Sequence, residues 1–163
     1  MKKYNFPSLI TDLLDKNHIE YQFFNGGRAV SASDAAKKMS VPLVAIAKVL
    51  VVKTPSGYMS VALSGTKRLS MKKLARTLGI STNSVSLLSK DGFESIVGVP
   101  VGATPPLGIN MPLIMDKGLE GQSMIYSSCG TLVDIIGIRP LDLVKISGGT
   151  IADVADVRFG ACV

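Results

Sequence analysis

The sequence predicts a mixed α/β fold: one domain over residues 1–163, with a mostly antiparallel sheet that curls toward a partial barrel and is flanked by helices. Two observations lead to this prediction. First, 47% of the 163 residues are hydrophobic and 18% are charged, which is typical of one core-rich globular domain and excludes a disordered chain. Second, short β-rich and amphipathic runs are interspersed, and several β-rich runs lie too close together for helical crossovers.

The N-terminal segment contains two predicted helices and one predicted strand. Apolar residues recur at helical spacing over 8–17 and predict the first helix, and residues 21–24 predict a strand. Ser33 precedes an acidic residue and predicts the N-cap of a short helix over 34–39, which stops before Pro42.

Two β-rich runs, 45–53 and 58–63, flank the turn sequence Pro55-Ser56-Gly57 and predict a central hairpin. Beyond the hairpin, the pattern predicts a helix over 71–78 capped by Ser70, a strand over 84–88, and a helix over 90–97 capped by Ser89.

The C-terminal third begins with a predicted loop over 99–108, which contains three prolines and two glycines. Three apolar runs then predict short strands over 113–115, 124–127 and 135–138, and Pro140 predicts the start of a last helix that ends at Gly148-Gly149. In the tail, Ile151, Val154 and Val157 are expected to pack on the core.

Several kinds of chemistry lack their sequence signatures. A Ser-His-Asp or Cys-His site needs a histidine, and His18, at a predicted helix end, is the only one. No phosphate-binding GxxxxGK[ST] or GxGxxG motif is present. Cys129 and Cys162 lack the spacing of a zinc or redox site, so neither metal nor cofactor is expected. No apolar run reaches the roughly 18 residues that span a bilayer, so a cytoplasmic protein without a membrane partner is expected.

Three segments stand out as candidates for a site. Lys48 interrupts an apolar strand, and it either snorkels from a solvated face or binds an anion or carbonyl in a cleft. The loop Val101 to Gly108 is either a plain connection or a rigid presenter of backbone N–H groups. Residues 126–131 form a strand and hydroxyl-rich turn that could line a pocket, with Cys129 a buried hydrophobe in preference to a nucleophile.

Taken together, these three segments resemble the YbaK/prolyl-tRNA-synthetase-associated domain family, whose members edit mischarged tRNA as free proteins or as synthetase insertions. Residues 47–52 resemble the family's lysine-bearing strand, 97–108 its T-G-x-x-x-G-G-x-[SP]-P-x-G signature, and 125–130 its Tyr-Val-Ser-x-Gly strand and turn. Ala103 replaces the second glycine of the signature, and Cys129 also departs from the turn of many relatives.

The resemblance implies the fold of that family and substrate-assisted hydrolysis of mischarged aminoacyl-tRNA, with tRNA(Pro) carrying cysteine or alanine as the leading substrate. It implies Lys48 as the catalytic residue. The implied substrate-binding residues are Gly102, Ala103, Thr104, Pro106, Gly108, Ser128, Cys129 and Gly130. The implied partners are the acceptor end of aminoacyl-tRNA and, as a second candidate, prolyl-tRNA synthetase.

The net charge of +6 favours a polyanionic partner. Basic residues cluster around one predicted helix, where they either meet the tRNA backbone or form a solvated face: Lys67, Arg68, Lys72, Lys73 and Arg76. Two other functions stay open at this point. One is a non-catalytic module that binds tRNA or a synthetase, and the other is a small-molecule or nucleotide-binding protein that uses the same cleft.

Overall fold

The computed structural model describes residues 5–158, so Cys162 lies outside the described residues. The helices in this range are α1 (Phe6–Lys16), α2 (Ala32–Met39), α3 (Met71–Leu78), α4 (Phe93–Val97) and α5 (Pro140–Ser147). The strands are β1 (Tyr21–Asn25), β2 (Ala47–Thr54), β3 (Gly57–Ser64), β4 (Lys67–Leu69), β5 (Ser86–Leu87), β6 (Leu113–Asp116), β7 (Ile125–Ser128), β8 (Asp134–Ile138), β9 (Thr150–Ala152) and β10 (Ala155–Val157). Within residues 5–158, every helix is too short or not apolar enough to span a bilayer.

The strands form three sheets. The largest has the order β5-β2-β3-β6-β9, the second β1-β8-β7, and the third pairs β10 with β4. The β3–β6 and β6–β9 pairs are parallel, and the other strand pairs are antiparallel. The predicted class, a mixed and mostly antiparallel α/β fold flanked by helices, is therefore confirmed, although the sheets do not close into a barrel.

Local signals placed most elements correctly. The hairpin of β2 and β3 runs in register from Ala47↔Ser64 to Thr54↔Gly57. The Ser70 Oγ accepts a hydrogen bond from Lys73 N at 3.3 Å, and Gly79 ends α3 in the left-handed region with φ 69°. These features confirm the predicted hairpin and the predicted caps of α3.

Other boundaries differ from the prediction. The N-cap of α2 is Ser31, whose Oγ accepts from Asp34 N at 3.1 Å, so the prediction of Ser33 was wrong by two residues. Helix α4 begins at Phe93 rather than residue 90, because the Ser89 Oγ donates to Asp91 O within a turn and does not cap the helix.

The tail was only partly predicted. Val154 is buried and Ile151 packs against the core, but Val157 is 71% exposed, so its predicted burial was wrong. Strands β4, β9 and β10 were not predicted, because each has only three residues and the sequence Lys67-Arg68-Leu69 shows no apolar run.

Strand β2 separates two cores and thereby positions the candidate site. Ala47 and Val49 belong to the core that contains Ile10 and Leu14 of α1. On the other face of the strand, Leu50 and Val52 pack in the core that contains Leu74 of α3. Lys48 shares this second face, because side chains alternate along a strand.

Candidate active site

A mainly apolar cavity of about 370 Å³ lies beside the point where β2 and β7 meet. Ile46, the residue before β2, forms a parallel bridge with Tyr126 of β7. The walls come from the start of α2, from β2, from the segment before α4, from the 101–104 loop, and from β7 with the turn that follows it. A cavity of this size matches the lower range of small-ligand sites.

One wall of the cavity is an open strand edge. On its cavity side, β2 pairs with β5, and within residues 5–158 this pairing involves only Val52 and Lys53 of β2. The Val51 carbonyl accepts from Leu88 N at 2.9 Å on this edge. Because backbone groups alternate sides every residue in an antiparallel ladder, the Val49 N–H and C=O face the same edge. The cavity therefore offers a backbone donor and acceptor within apolar surroundings.

Lys48 lines the cavity and is half-buried, and its ammonium group is held by a neighbouring strand. The Lys48 Nζ donates to the backbone carbonyl of Lys67 in β4. Burial, and then the nearby Arg158 charge, lower the pKa of the Lys48 amine from its usual value. An ammonium has three N–H groups, so two remain for another acceptor.

The strand that holds Lys48 is itself anchored by an ion pair. Lys67 Nζ lies 3.1 Å from Asp116 Oδ2, and Asp116 is completely buried. Asp116 also accepts from Gly118 N at 2.9 Å and from Val154 N at 3.0 Å. This buried carboxylate thus fixes β4, and through it the position of the Lys67 carbonyl.

The proline-glycine loop reaches the cavity through Gly102 and Thr104. The Ser128 Oγ donates to Gly102 O at 3.3 Å and ties this loop to β7. The Ala103 N–H donates to Pro100 O at 3.0 Å, and the Cys129 N–H donates to Asp134 O at 3.0 Å. Those two amides already have acceptors, whereas the Gly102 N–H has none among residues 5–158.

The structure thus brings Lys48, Gly102, Thr104 and Ser128 together around one cavity. The remaining predicted substrate-binding residues lie away from its lining: Ala103, Pro106, Gly108, Cys129 and Gly130. Ala103 and Cys129 are fully buried in two of the cores. Burial, with a smaller contribution from Asp134, raises the pKa of the Cys129 thiol to about 12.

Two of the predicted glycines pack against α1. A Cβ on Gly108 would lie 2.9 Å from Leu9 Cδ2, and one on Gly130 would lie 2.2 Å from Phe6 Cβ. Both glycines have positive φ, of 79° and 90°. Their visible role is to let the two loops approach the first helix.

Residues that the motifs did not single out also line the cavity. Asp134 accepts from Asn25 Nδ2 at 2.7 Å and from Thr131 Oγ1 at 2.6 Å, which orders the turn after β7. Lys90 is exposed at the cavity, and Ser127 is buried in its wall. Ser127 belongs to the segment 126–131 that the sequence indicated as a possible pocket wall, and its alternation with the apolar Ile125 was the sequence signal that could have identified it.

A model of the aminoacyl-tRNA editing domain matches residues 27–146, which include all of the cavity-lining segments. The chain belongs to this family. Two proline–tRNA ligases are similar to the editing domain: that of Thermosipho melanesiensis is 26% identical over 110 residues, and that of Sulfurihydrogenibium sp. is 31% identical over 91 residues. These matches cover 67% and 55% of the chain but only 19% and 16% of the ligases.

Solved structures share the fold of this editing domain. One of them is the crystal structure of a hypothetical protein whose sequence is 23% identical to this chain. The two structures superpose with a TM-score of 0.83, and the match covers 90% of this chain and 99% of the other. A protein proposed to be a trans-editing enzyme for prolyl tRNA synthetase is 21% identical with a TM-score of 0.77, and the match covers 94% and 98% of the two chains. At these identities the comparison establishes the fold alone.

The predicted basic cluster is only partly available for a polyanion. Lys67 pairs with Asp116, and Lys73 pairs with Asp153 and Asp156 at 3.0 and 2.9 Å. Arg68, Lys72 and Arg76 are exposed and have no ion pair within residues 5–158.

Proposed function

We propose that this protein is a hydrolase that deacylates mischarged aminoacyl-tRNA, with tRNA(Pro) carrying cysteine or alanine as the leading substrates. The observation that carries the proposal is the single cavity lined by Lys48, Gly102 and Ser128 beside the open edge of β2, in a member of the editing family. The names of the two ligase relatives support a proline-specific tRNA as the substrate, and prolyl-tRNA synthetase as a candidate partner.

The reaction does not require a nucleophilic side chain. Water attacks the carbonyl carbon of the aminoacyl ester, the bond to the ribose oxygen breaks, and the free amino acid and an intact tRNA terminus are released. The neighbouring ribose hydroxyl of the substrate can relay the proton from water to the leaving oxygen. The protein then has to position the ester and stabilise the negative charge that develops on its carbonyl oxygen.

Two backbone amides are suited to this stabilisation. The Gly102 N–H has no acceptor among the described residues, and the Val49 N–H faces the cavity along the open edge. Ser128 holds the Gly102 carbonyl, and this contact fixes the orientation of the adjoining peptide. Donors that are fixed before the substrate binds stabilise a developing oxyanion without a cost of reorganisation.

Lys48 would supply the positive charge at the site. Its ammonium keeps two N–H groups for a ribose, phosphate or ester oxygen, and the Lys67 carbonyl restricts its position. Because burial disfavours the charged amine, an incoming anionic or developing charge is a favourable partner for it.

A hydrolytic second site has a physical rationale. A synthetase pocket rejects a smaller amino acid poorly, because one methylene in an apolar pocket contributes only ~1–3 kcal/mol. A cavity of about 370 Å³ admits a small aminoacyl group together with part of its nucleoside.

The proposal is tested by incubating the purified protein with tRNA(Pro) charged with alanine, cysteine or proline and following release of the labelled amino acid. We expect rapid release of at least one non-cognate amino acid and slow release of proline. Binding of charged tRNA without release would favour the non-catalytic module. Absence of salt-sensitive tRNA binding would favour a small-molecule site in the same cavity.

A further inference from the structure

Ser127 has a buried hydroxyl without a protein partner. Its side chain is 4% exposed, and its Oγ is the only fully shielded side-chain polar atom within residues 5–158 that makes no hydrogen bond. The buried Ser60 and Ser64, by comparison, donate to the carbonyls of Pro112 and Val44. Buried hydroxyls in folded proteins nearly always have a partner, so the Ser127 hydroxyl keeps unused hydrogen-bonding capacity in the wall of the cavity.

The position of Ser127 in β7 places it deep in the wall of the cavity. Along the strand, Ser127 lies on the same side as Ile125, which packs in one core with Ala47 and Val49. Ala47, Val49 and Ser127 all line the cavity. Ser128 lies on the opposite side of β7, where its Oγ is engaged by Gly102 O.

The apolar surroundings of Ser127 allow one hydrogen bond to its hydroxyl to distinguish between ligands. Ala47 and Val49, which share a core with Ile125, also line the cavity, and Thr104, a buried residue of the lining, makes no side-chain hydrogen bond among the described residues. In apolar surroundings a hydrogen bond is stronger than in water, and a ligand that leaves a buried hydroxyl unpaired is rejected.

We propose that Ser127 is a specificity-determining residue of the editing site. Its hydroxyl would hydrogen-bond the side-chain hydroxyl or thiol of a small aminoacyl group, so that seryl and cysteinyl esters are preferred over alanyl esters. A serine hydroxyl both donates and accepts, and its three χ1 positions allow Oγ to turn toward the ligand. This inference rests on the proposed function and narrows the class of its substrate.

The test compares kcat/KM for tRNA(Pro) charged with serine, cysteine or alanine, using the wild-type protein and a Ser127→Ala variant. We expect Ser127→Ala to lower kcat/KM for the seryl and cysteinyl substrates roughly 3- to 10-fold, the range of a single hydrogen bond. The alanyl substrate should change by less than about twofold, because a methyl group cannot use the hydroxyl. A Ser128→Ala variant is the matched control, and it should lower all three values together because its Oγ positions Gly102.

A binding measurement separates this inference from the proposed function. Titration calorimetry with non-hydrolysable 3′-serylamino- and 3′-alanylamino-3′-deoxyadenosine should show the same loss of preference in Ser127→Ala, even if the wild-type protein proves unable to hydrolyse any charged tRNA. An equal loss for all aminoacyl groups would indicate that Ser127 contacts the shared α-amino group and would overturn the inference. An unchanged preference, or binding of neither compound to the wild-type protein, would overturn it as well.

Discussion

Replacing Lys48 by methionine tests the proposed catalytic charge while preserving most of the buried side chain. The substitution removes the ammonium and its hydrogen bond to Lys67 O but keeps an unbranched apolar stem of similar length. Loss of one preorganised electrostatic partner typically lowers the rate ~10²–10³-fold, about 3–4 kcal/mol of transition-state stabilisation. We expect kcat/KM for deacylation to fall by that factor.

The fold should tolerate this change. A hydrogen bond to a charged group contributes ~1.5–3 kcal/mol, but the variant also avoids burying a charge, so the free energy of unfolding should change by no more than about 1 kcal/mol. Lys53→Met is the matched control, because Lys53 is an exposed residue of the same strand and does not line the cavity. Its deacylation rate should stay within about twofold of wild type.

The depressed pKa of Lys48 gives this variant a second, independent readout. Because the folded-state pKa lies below the unfolded value, the native state releases its proton first as pH rises. Between the folded-state pKa and the ordinary lysine pKa of 10.5, the unfolded state binds more protons, so the folded protein gains stability through Lys48 as the pH rises in this window. Urea unfolding across this pH range should show the stability of the wild-type protein rising relative to that of Lys48→Met, and a difference that does not change with pH would contradict a depressed pKa of Lys48. Full deacylation activity in a folded Lys48→Met protein would refute the catalytic reasoning.

Three further predictions concern neighbouring residues. In a Cys162→Ser background, Cys129 should resist alkylation at pH 8 in the native protein and react in urea, because burial raises its pKa to about 12. The deacylation rate of Cys129→Ala should stay within about threefold of wild type. Gly130→Ala should lower the free energy of unfolding by about 2–4 kcal/mol in urea titrations, because the new Cβ would lie 2.2 Å from Phe6 Cβ and residue 130 has a φ of 90°. An unchanged urea midpoint would contradict this packing. Ser127→Ala should leave the free energy of unfolding unchanged or raise it by up to about 1 kcal/mol. Ser60→Ala should lower it by about 0.5–1.5 kcal/mol, because Ser60 Oγ donates to Pro112 O. Equal losses of stability in thermal melts of the two variants would show that the Ser127 hydroxyl has a partner within the protein.

The elements that could be predicted from the sequence are those fixed by neighbouring residues. The β2–β3 hairpin follows from two β-rich runs around a turn, and α3 follows from Ser70 and Gly79 at its ends. Lys48 could be singled out because it is a charge within one apolar strand.

The elements that could not be predicted depend on contacts between distant parts of the chain. The β4–β10 pair joins Lys67–Leu69 to Ala155–Val157, and neither short segment has a distinctive pattern. The same long-range pairing places the Lys67 carbonyl against the Lys48 amine. The packing of Gly130 on Phe6 is equally non-local, so the motif indicated a substrate-binding glycine where the structure shows contact with α1.

The unpartnered hydroxyl of Ser127 illustrates a further limit. The motif pointed to Ser128, and a sequence does not reveal which of two adjacent serines has its hydrogen bond satisfied within the protein. Strand alternation sends the two side chains to opposite faces, and only the three-dimensional structure shows that one of them meets a carbonyl.

The most direct measurement is a crystal structure of the protein bound to 3′-alanylamino- or 3′-serylamino-3′-deoxyadenosine. We expect the aminoacyl group to occupy the cavity between β2 and β7, with its carbonyl oxygen near the Gly102 and Val49 amides and Lys48 Nζ within reach of the ribose. Binding of the ligand elsewhere, for example along the exposed basic side chains of α3, with this cavity empty, would show that the cavity is not the editing site.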